Sequence, residues 1–339
     1  MPIKFALKLI AASVLAVGLA APAAAQETSL IFATVNPPSA HLSKNILIPW
    51  AEKVNEQGKG VVKLDIRDGL TLANLGNAYQ RTLDDVVQVA WTIQAAVGGK
   101  FRKSEVVSLP FVAPASSEEG SVAYWRLYKS GLLDTEYDEI VPLYLCQITQ
   151  AGLHFAKPPK SLDNFNGMKM IVSSRIAGQA AARMGFTPAS ISLNEMYEAV
   201  QRGTVDGFLN GWTVFQPFKM AEVTTYHVEA QLSGSTGMVF MAKKKWDALP
   251  AAVKKVLESN SGEAQSRAFG AFWDRINEEG RADVRKAGKH TIVNPSAEQL
   301  KKWHSQIEPV VQEWTKSTPE GERVLSTYRG LIQKVRAGG

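Results

Sequence analysis

Along the chain, short apolar runs alternate with longer stretches whose apolar residues recur every three or four positions. That rhythm predicts strands alternating with helices. Residues 30–34 read as a strand, and residues 41–56 as a helix with Leu42, Ile46, Trp50 and Val54 on one face. Pro49 should kink or shorten that helix, because proline lacks the amide hydrogen a helix interior uses. Val62, Leu64 and Ile66 alternate with polar residues, as in a half-exposed strand, and residues 86–92, 106–109 and 142–148 read as further strands. In the second half, residues 169–172, 204–209 and 237–242 read as strands and residues 178–184 as a helix. Ser192-Leu-Asn-Glu195 and Ser296-Ala-Glu-Gln299 have the spacing of capping boxes, each opening a helix. After Pro250 a long helix is predicted to about Arg285, with Val253, Val256, Leu257, Ala264, Ala268, Phe272 and Ile276 on its buried side. A later one carries Leu300, Trp303, Ile307 and Val311. The alternation predicts an α/β fold with mainly parallel sheets covered by helices. At 339 residues the chain is long for a single core, so two lobes joined by several chain crossings are expected.

Residues 1–25 break the rhythm. Lys4 and Lys8 precede an apolar and small-residue run over 9–21, and Ala23-Ala24-Ala25 closes it in small-x-small form. This reads as a secretory signal peptide, with a mature, soluble chain beginning near Gln26 in a periplasm. The formal net charge is +6, and removal of the two leader lysines leaves +4. No long Lys/Arg run exists, so a nucleic-acid partner has no support. Cys146, the single cysteine, sits in an apolar strand and reads as a buried structural thiol. The five histidines show no pair at metal-ligand spacing, and phosphate-binding glycine loops and nucleophile-elbow motifs are missing. No metal, cofactor or catalytic residue is predicted, which favours a binding protein over an enzyme.

The stretch Glu195-Met-Tyr-Glu-Ala-Val-Gln-Arg-Gly-Thr-Val-Asp-Gly207 resembles the E-V-Y-x-A-L-Q-x-G-x-V-D-G signature of solute-binding proteins of tripartite ATP-independent periplasmic (TRAP) transporters, the DctP-like family. Leu109-Pro110-Phe111, the segment from Ser161 to Lys169, Glu222-Val-Thr-Thr-Tyr226 and Trp246-Asp-Ala-Leu-Pro250 resemble further family motifs in the same order. The resemblance spans nearly all of residues 28–315. It implies a two-lobe α/β protein with a ligand cleft between the lobes and a long helix spanning both. It also implies capture of a small organic solute, hinged closure, and delivery to a membrane permease. On this reading one lobe takes residues 26–149 with about 237–285, and the other residues 150–236 with about 286–325.

The family usually holds a carboxylate with arginine. In Gly167-Met-Lys-Met-Ile-Val172, Ile171 takes one arginine position, and Gln150 falls at the second. After V-D-G the family's Q-E-N becomes Phe208-Leu-Asn210, and Trp91 stands where a small polar or acidic residue is common. With Tyr197 and Trp212 these departures imply an apolar, aromatic site. Arg175, four residues past Ile171, is the candidate replacement cation. The nominated ligand contacts are therefore Trp91, Gln150, Ile171, Arg175, Tyr197, Phe208, Asn210 and Trp212. The implied solute is an aromatic or weakly charged compound, or a monocarboxylate held by Arg175. Three alternatives stay open: a dicarboxylate-like acid held by Arg175, a ligand sensor without transport, and an exported enzyme on the same scaffold.

Overall fold

Apolar runs bounded by glycine, proline and Asx residues form the strands of this computed structural model, which describes residues 27–148 and 150–339. The expected leader lies outside the described residues. The strands are β1 (Thr28–Ala33), β2 (Val62–Arg67), β3 (Val89–Ile93), β4 (Ile140–Ile148), β5 (Gly152–Phe155), β6 (Lys169–Ile171), β7 (Thr187–Ala189), β8 (Gly207–Asn210), β9 (Tyr226–Val228), β10 (Ser235–Ala242) and β11 (Thr291–Val293). They make two sheets, ordered β2-β1-β3-β10-β4 and β11-β9-β5-β8-β6-β7, one in each lobe. The helices are α1 (Ile48–Gln57), α2 (Ala78–Leu83), α3 (Ser117–Lys129), α4 (Arg175–Arg183), α5 (Met196–Gln201), α6 (Lys243–Ala248), α7 (Ala251–Ser259), α8 (Gly262–Lys286), α9 (Ala297–Ser317) and α10 (Gly321–Arg336). Among the described residues, no helix is long and apolar enough to cross a membrane.

The sheets are mixed rather than mainly parallel. Every antiparallel pair involves β10 or β5: β10 with β3 and β4, and β5 with β8 and β9. These two strands follow the chain crossings between lobes. Each of them enters from the opposite lobe over a short connection and runs against its new neighbours, whereas β11, reached through α8, pairs parallel with β9. Between the crossings, Ala151 N–H donates to the Ser233 carbonyl, and Leu232 N–H to that of Ala151. The two connecting segments are thus bonded side by side.

Four local expectations are corrected. Residues 104–108 form a 3-10 turn instead of a strand, because Ser104 is drawn off by the buried Glu136 carboxylate, to which it donates from both N–H and Oγ. Residues 43–47 are π-helical, and α1 proper starts at Ile48, with Pro49 in its first turn where a missing amide costs little. Ser192 does not cap α5; its hydroxyl donates to the Glu195 side chain at 2.6 Å. The long helix expected after Pro250 is two helices, because Gly262 has φ +79°, off the helical path. The Ser296 capping box is formed, with Gln299.

The α3–α8 contact holds the first lobe to the long helix. The Asp274 carboxylate on α8 accepts from Ser117 N–H at 2.6 Å, Glu118 N–H at 3.1 Å and Ser116 Oγ at 2.8 Å, placing a negative charge at the start of α3. Gly270 lets the helices meet: a Cβ there would lie 2.4 Å from the Ser117 carbonyl oxygen. At its far end α8 meets the second lobe, where a Cβ on Gly280 would lie 2.5 Å from the Trp212 carbonyl oxygen. Asn277 accepts from Trp212 N–H at 2.8 Å beside that contact. The C-terminal helix α10 returns to the first lobe, where Tyr328 donates to Gln147 and Arg336 pairs with Glu119.

Candidate functional site

Between the lobes lies a cavity of about 320 Å³, within the ~300–1,000 Å³ range of small-molecule clefts. Its first-lobe wall comes from the turn after β3 and the 3-10 turn that replaced the expected strand, presenting Gln94, Phe101, Arg102 and Glu105. Its second-lobe wall is the start of α4, with Ser174, Arg175 and Ile176. Ser235 and Thr236, at the end of a crossing, line it too. Two shallower depressions lie on the α4–α9 side of the second lobe alone, with no facing lobe to close over a ligand.

Local structure explains the wall. Ser174 caps α4, its Oγ accepting from Ala177 N–H at 3.1 Å, which sets Arg175 on the first turn beyond the sheet. The Arg175 guanidinium donates to Glu105 through Nε at 3.3 Å and Nη2 at 2.5 Å, and to Gln179 through Nη1 at 3.1 Å. The Glu105 bond crosses from lobe to lobe. Arg102 stands 3.6 Å from the same carboxylate. Gln94 is held still by its own partners, accepting from Tyr124 Oη at 2.5 Å and donating to Tyr137 Oη at 2.7 Å.

Gln150 lies in the first chain crossing. It is 8% exposed, and among the described residues neither its side-chain oxygen nor its nitrogen has a hydrogen-bond partner. Gly234 of the second crossing makes room for it, since a Cβ there would sit 2.7 Å from the Gln150 nitrogen. A buried amide without partners costs about 1–3 kcal/mol, so this group gains from any polar atom brought to it.

The remaining nominated residues stand elsewhere. Trp91 is corrected to the first-lobe core: it is 1% exposed and packs edge-on against Phe269, with ring centres 5.1 Å apart. Ile171 and Phe208, paired in register across β6 and β8, belong to a second buried cluster with Met196, Val200, Trp212 and Phe215. Alternation along the strands turned both side chains to that face. Tyr197 is half-buried at the edge of this cluster and donates to Glu222 at 2.9 Å, away from the cleft walls. The Asn210 side chain accepts from Gly211 N–H at 2.8 Å, as a turn residue does. Of the eight, Arg175 alone lines the cleft; Gln150 lies against Gly234, the residue before the lining Ser235.

Sequence reasoning passed over Arg102 and Glu105. Their signal was present as an Arg/Glu pair three residues apart, but the apolar run that follows masked it as the approach to a strand. It also passed over a line of three histidines. His154 on β5 and His227 on β9 are paired in register, with Nδ1 atoms 3.1 Å apart. His227 Nε2 is 3.1 Å from His290 Nδ1, and His154 Nε2 is 3.0 Å from the Asn210 carbonyl oxygen. That carbonyl can only accept, so His154 donates from Nε2, His227 donates from Nδ1 to His154, and His290 donates from Nδ1 to His227. Each ring is neutral in this order. Burial holds His154 well below the usual histidine range, reinforced by His227, against the Asn210 bond. Burial, with His290 adding to it, pushes His227 down to about 3. Sequence spacing could not show this line, since its members are 73 and 63 residues apart. Among the described residues, no group of three His, Cys, Asp or Glu side chains could hold a metal ion.

Comparison with known proteins gives a consistent result. The family described as bacterial extracellular solute-binding protein, family 7, matches residues 32–317. A TRAP solute-binding protein from an unidentified marine microbe, specific for aromatic acids and crystallised with 3-hydroxybenzoate, superposes with a TM-score of 0.84 at 27% identity. That match covers 91% of this chain and 99% of that one. A TRAP solute-binding protein of Rhodoferax ferrireducens T118, with copurified benzoate, gives 0.83 at 26% identity over 92% and 100% of the two chains. The protein TsaT of Comamonas testosteroni, named an outer membrane transporter protein, is 27% identical over 320 residues, which is 90% of this chain and 92% of that one.

Proposed function

The chain belongs to family 7 of the bacterial extracellular solute-binding proteins, and from that premise we propose that its cleft takes up an aromatic monocarboxylate. As a TRAP-type binding protein it captures a small organic solute outside the cytoplasm and hands it to a membrane permease. The observation that carries the ligand class is Arg175, a guanidinium on the cleft wall beside the apolar surfaces of Ile176 and Phe101. A guanidinium offers a carboxylate a two-pronged, charge-assisted fork, and the apolar wall suits a ring. Gln150, with its partnerless amide, is suited to a second polar atom on the solute. The two solved relatives described above bind benzoate and 3-hydroxybenzoate, which supports the same class.

The proposal extends to the division of the chain. Residues 26–149 with about 237–285 make one lobe and residues 150–236 with about 286–325 the other, with α10 packed back on the first. The assignment of strands to sheets supports this, apart from β10, which begins two residues early. The solute leaves chemically unchanged, and mass spectrometry of material eluted from the protein checks that.

Calorimetric titration with benzoate, benzamide and succinate tests the ligand class. Benzamide keeps the ring and loses the charge, while succinate keeps the charge and loses the ring. Benzoate should bind at least tenfold tighter than either, about 1.4 kcal/mol. Benzamide binding as tightly as benzoate would remove Arg175 from the account.

A further inference from the structure

We propose that Glu105 fixes the charge of the solute this protein accepts. It is a resident carboxylate that pairs with Arg175 across the cleft and turns away acids carrying a second carboxylate. The inference rests on reading the cleft as an aromatic-acid site, and goes further by naming the residue that limits the acid to one charge.

Three side chains lining the cleft are charged: Arg102, Glu105 and Arg175. Their sum is one positive charge, which a monoanion neutralises. Glu105 stands on the first lobe and Arg175 on the second, so their 2.5 Å bond spans the space a solute enters. Glu105 takes Nε and Nη2 of the guanidinium, and Gln179 takes Nη1. A solute carboxylate therefore gains the fork by exchanging with Glu105, one carboxylate for another. Arg102, 3.6 Å away, is placed to keep the displaced Glu105 paired. The exchange leaves no carboxylate without a cation.

A dicarboxylate breaks this balance. Its second charge has no free cation among the cleft side chains and meets Glu105 within a cavity of about 320 Å³. Like charges a few ångströms apart in a partly dry site repel strongly enough to cost about ten- to a hundredfold in affinity. Selectivity here comes from a built-in repulsion as much as from the attraction of Arg175.

The test compares benzoate with isophthalate, the same ring with a second carboxylate, by calorimetric titration of the unsubstituted protein and of Glu105→Gln. The unsubstituted protein should prefer benzoate by at least about tenfold. In Glu105→Gln that preference should shrink by about tenfold or more, while benzoate affinity rises because Arg175 has lost its internal competitor. Glu105 is partly exposed, so the amide should be accommodated, and thermal unfolding checks this; Glu105→Ala supplies the same readout if the amide variant does not fold. Benzoate binding with an unchanged benzoate-to-isophthalate ratio in the variant overturns the role of Glu105 and leaves the aromatic-acid reading standing. If the unsubstituted protein binds neither acid, that reading falls, and the role of Glu105 with it.

Discussion

Arg175 and Phe208 both sit in the second lobe, in stretches that the sequence marks for ligand contact. Arg175 faces the cleft; Phe208 is sealed inside with His154, Trp212 and Phe215. The difference lies in where each residue stands relative to the sheet. Phe208 is within β8, where alternation decides the face, and its face is the interior. Arg175 follows the end of β6 by four residues, on the first turn of a helix, where the edge of a sheet opens into a crevice. Residue type suggested the same role for both, and position separated them.

Substitution should widen this contrast. Phe208→Ala empties a filled interior and should cost about 3–5 kcal/mol of stability by chemical denaturation, while the folded fraction keeps its benzoate affinity within about threefold. Arg175→Ala should do the reverse. Its ion pair is exposed enough to contribute only about 0–1 kcal/mol to folding, but loss of the fork should weaken benzoate by about 1.5–3 kcal/mol in a titration. A stable Phe208→Ala protein that no longer binds would return the aromatic cluster to the site.

Acid should also act on the interior, through the buried histidines. His154 and His227 are held neutral in the folded chain, with pKa values below those they take when unfolded. Below about pH 6.5 the unfolded chain binds protons that the folded one refuses, so stability falls as pH falls. For His227 the loss runs from about 6.5 down to about 3, near 1.4 kcal/mol per pH unit, or about 2 kcal/mol between pH 7 and pH 5. Urea midpoints that stay flat across that interval would mean the histidine line is not closed off from water.

The smallest effect should have opposite signs in the two readouts. Gln150→Met removes a buried amide that has no partner among the described residues, and should raise the unfolding free energy by about 1 kcal/mol. The same change should weaken 3-hydroxybenzoate more than benzoate. Equal affinities for both acids before and after the change would separate Gln150 from the solute.

Much of the scaffold was readable in the chain. The 3.6-residue spacing in α9 and its Ser296–Gln299 box, the alternation in β2, and the signature at 195–207 each depend on neighbours close in sequence. The site was less readable, because its parts meet across the cleft. Glu105 and Arg175 are 70 residues apart, and no local pattern ties them together. The apolar residues at 106 and 107 looked like a strand, yet the pull of the buried Glu136 on Ser104 wound the segment into a turn. Ile171 and Phe208 are register partners on β6 and β8, and strand position in the sequence left the face of each undetermined.

Two of the glycines of α8, Gly270 and Gly280, act as bearings on a shaft. Gly270 runs under the backbone of α3 and Gly280 under that of Trp212, about 15 Å apart along the axis. Their neighbours on the same faces, Ser266, Trp273 and Asp274 at one end and Ile276, Asp283 and Val284 at the other, all carry side chains. Sliding either lobe along the shaft would drive a side chain into a carbonyl, so axial travel is blocked at both ends. What remains is tilting and turning about fixed seats. The cleft therefore opens as jaws do, rather than by shear. Spin labels on α8 and on each sheet should show constant shaft-to-lobe distances while the lobe-to-lobe distance changes with benzoate; a shaft-to-lobe shift of a few ångströms would mean the bearings slip.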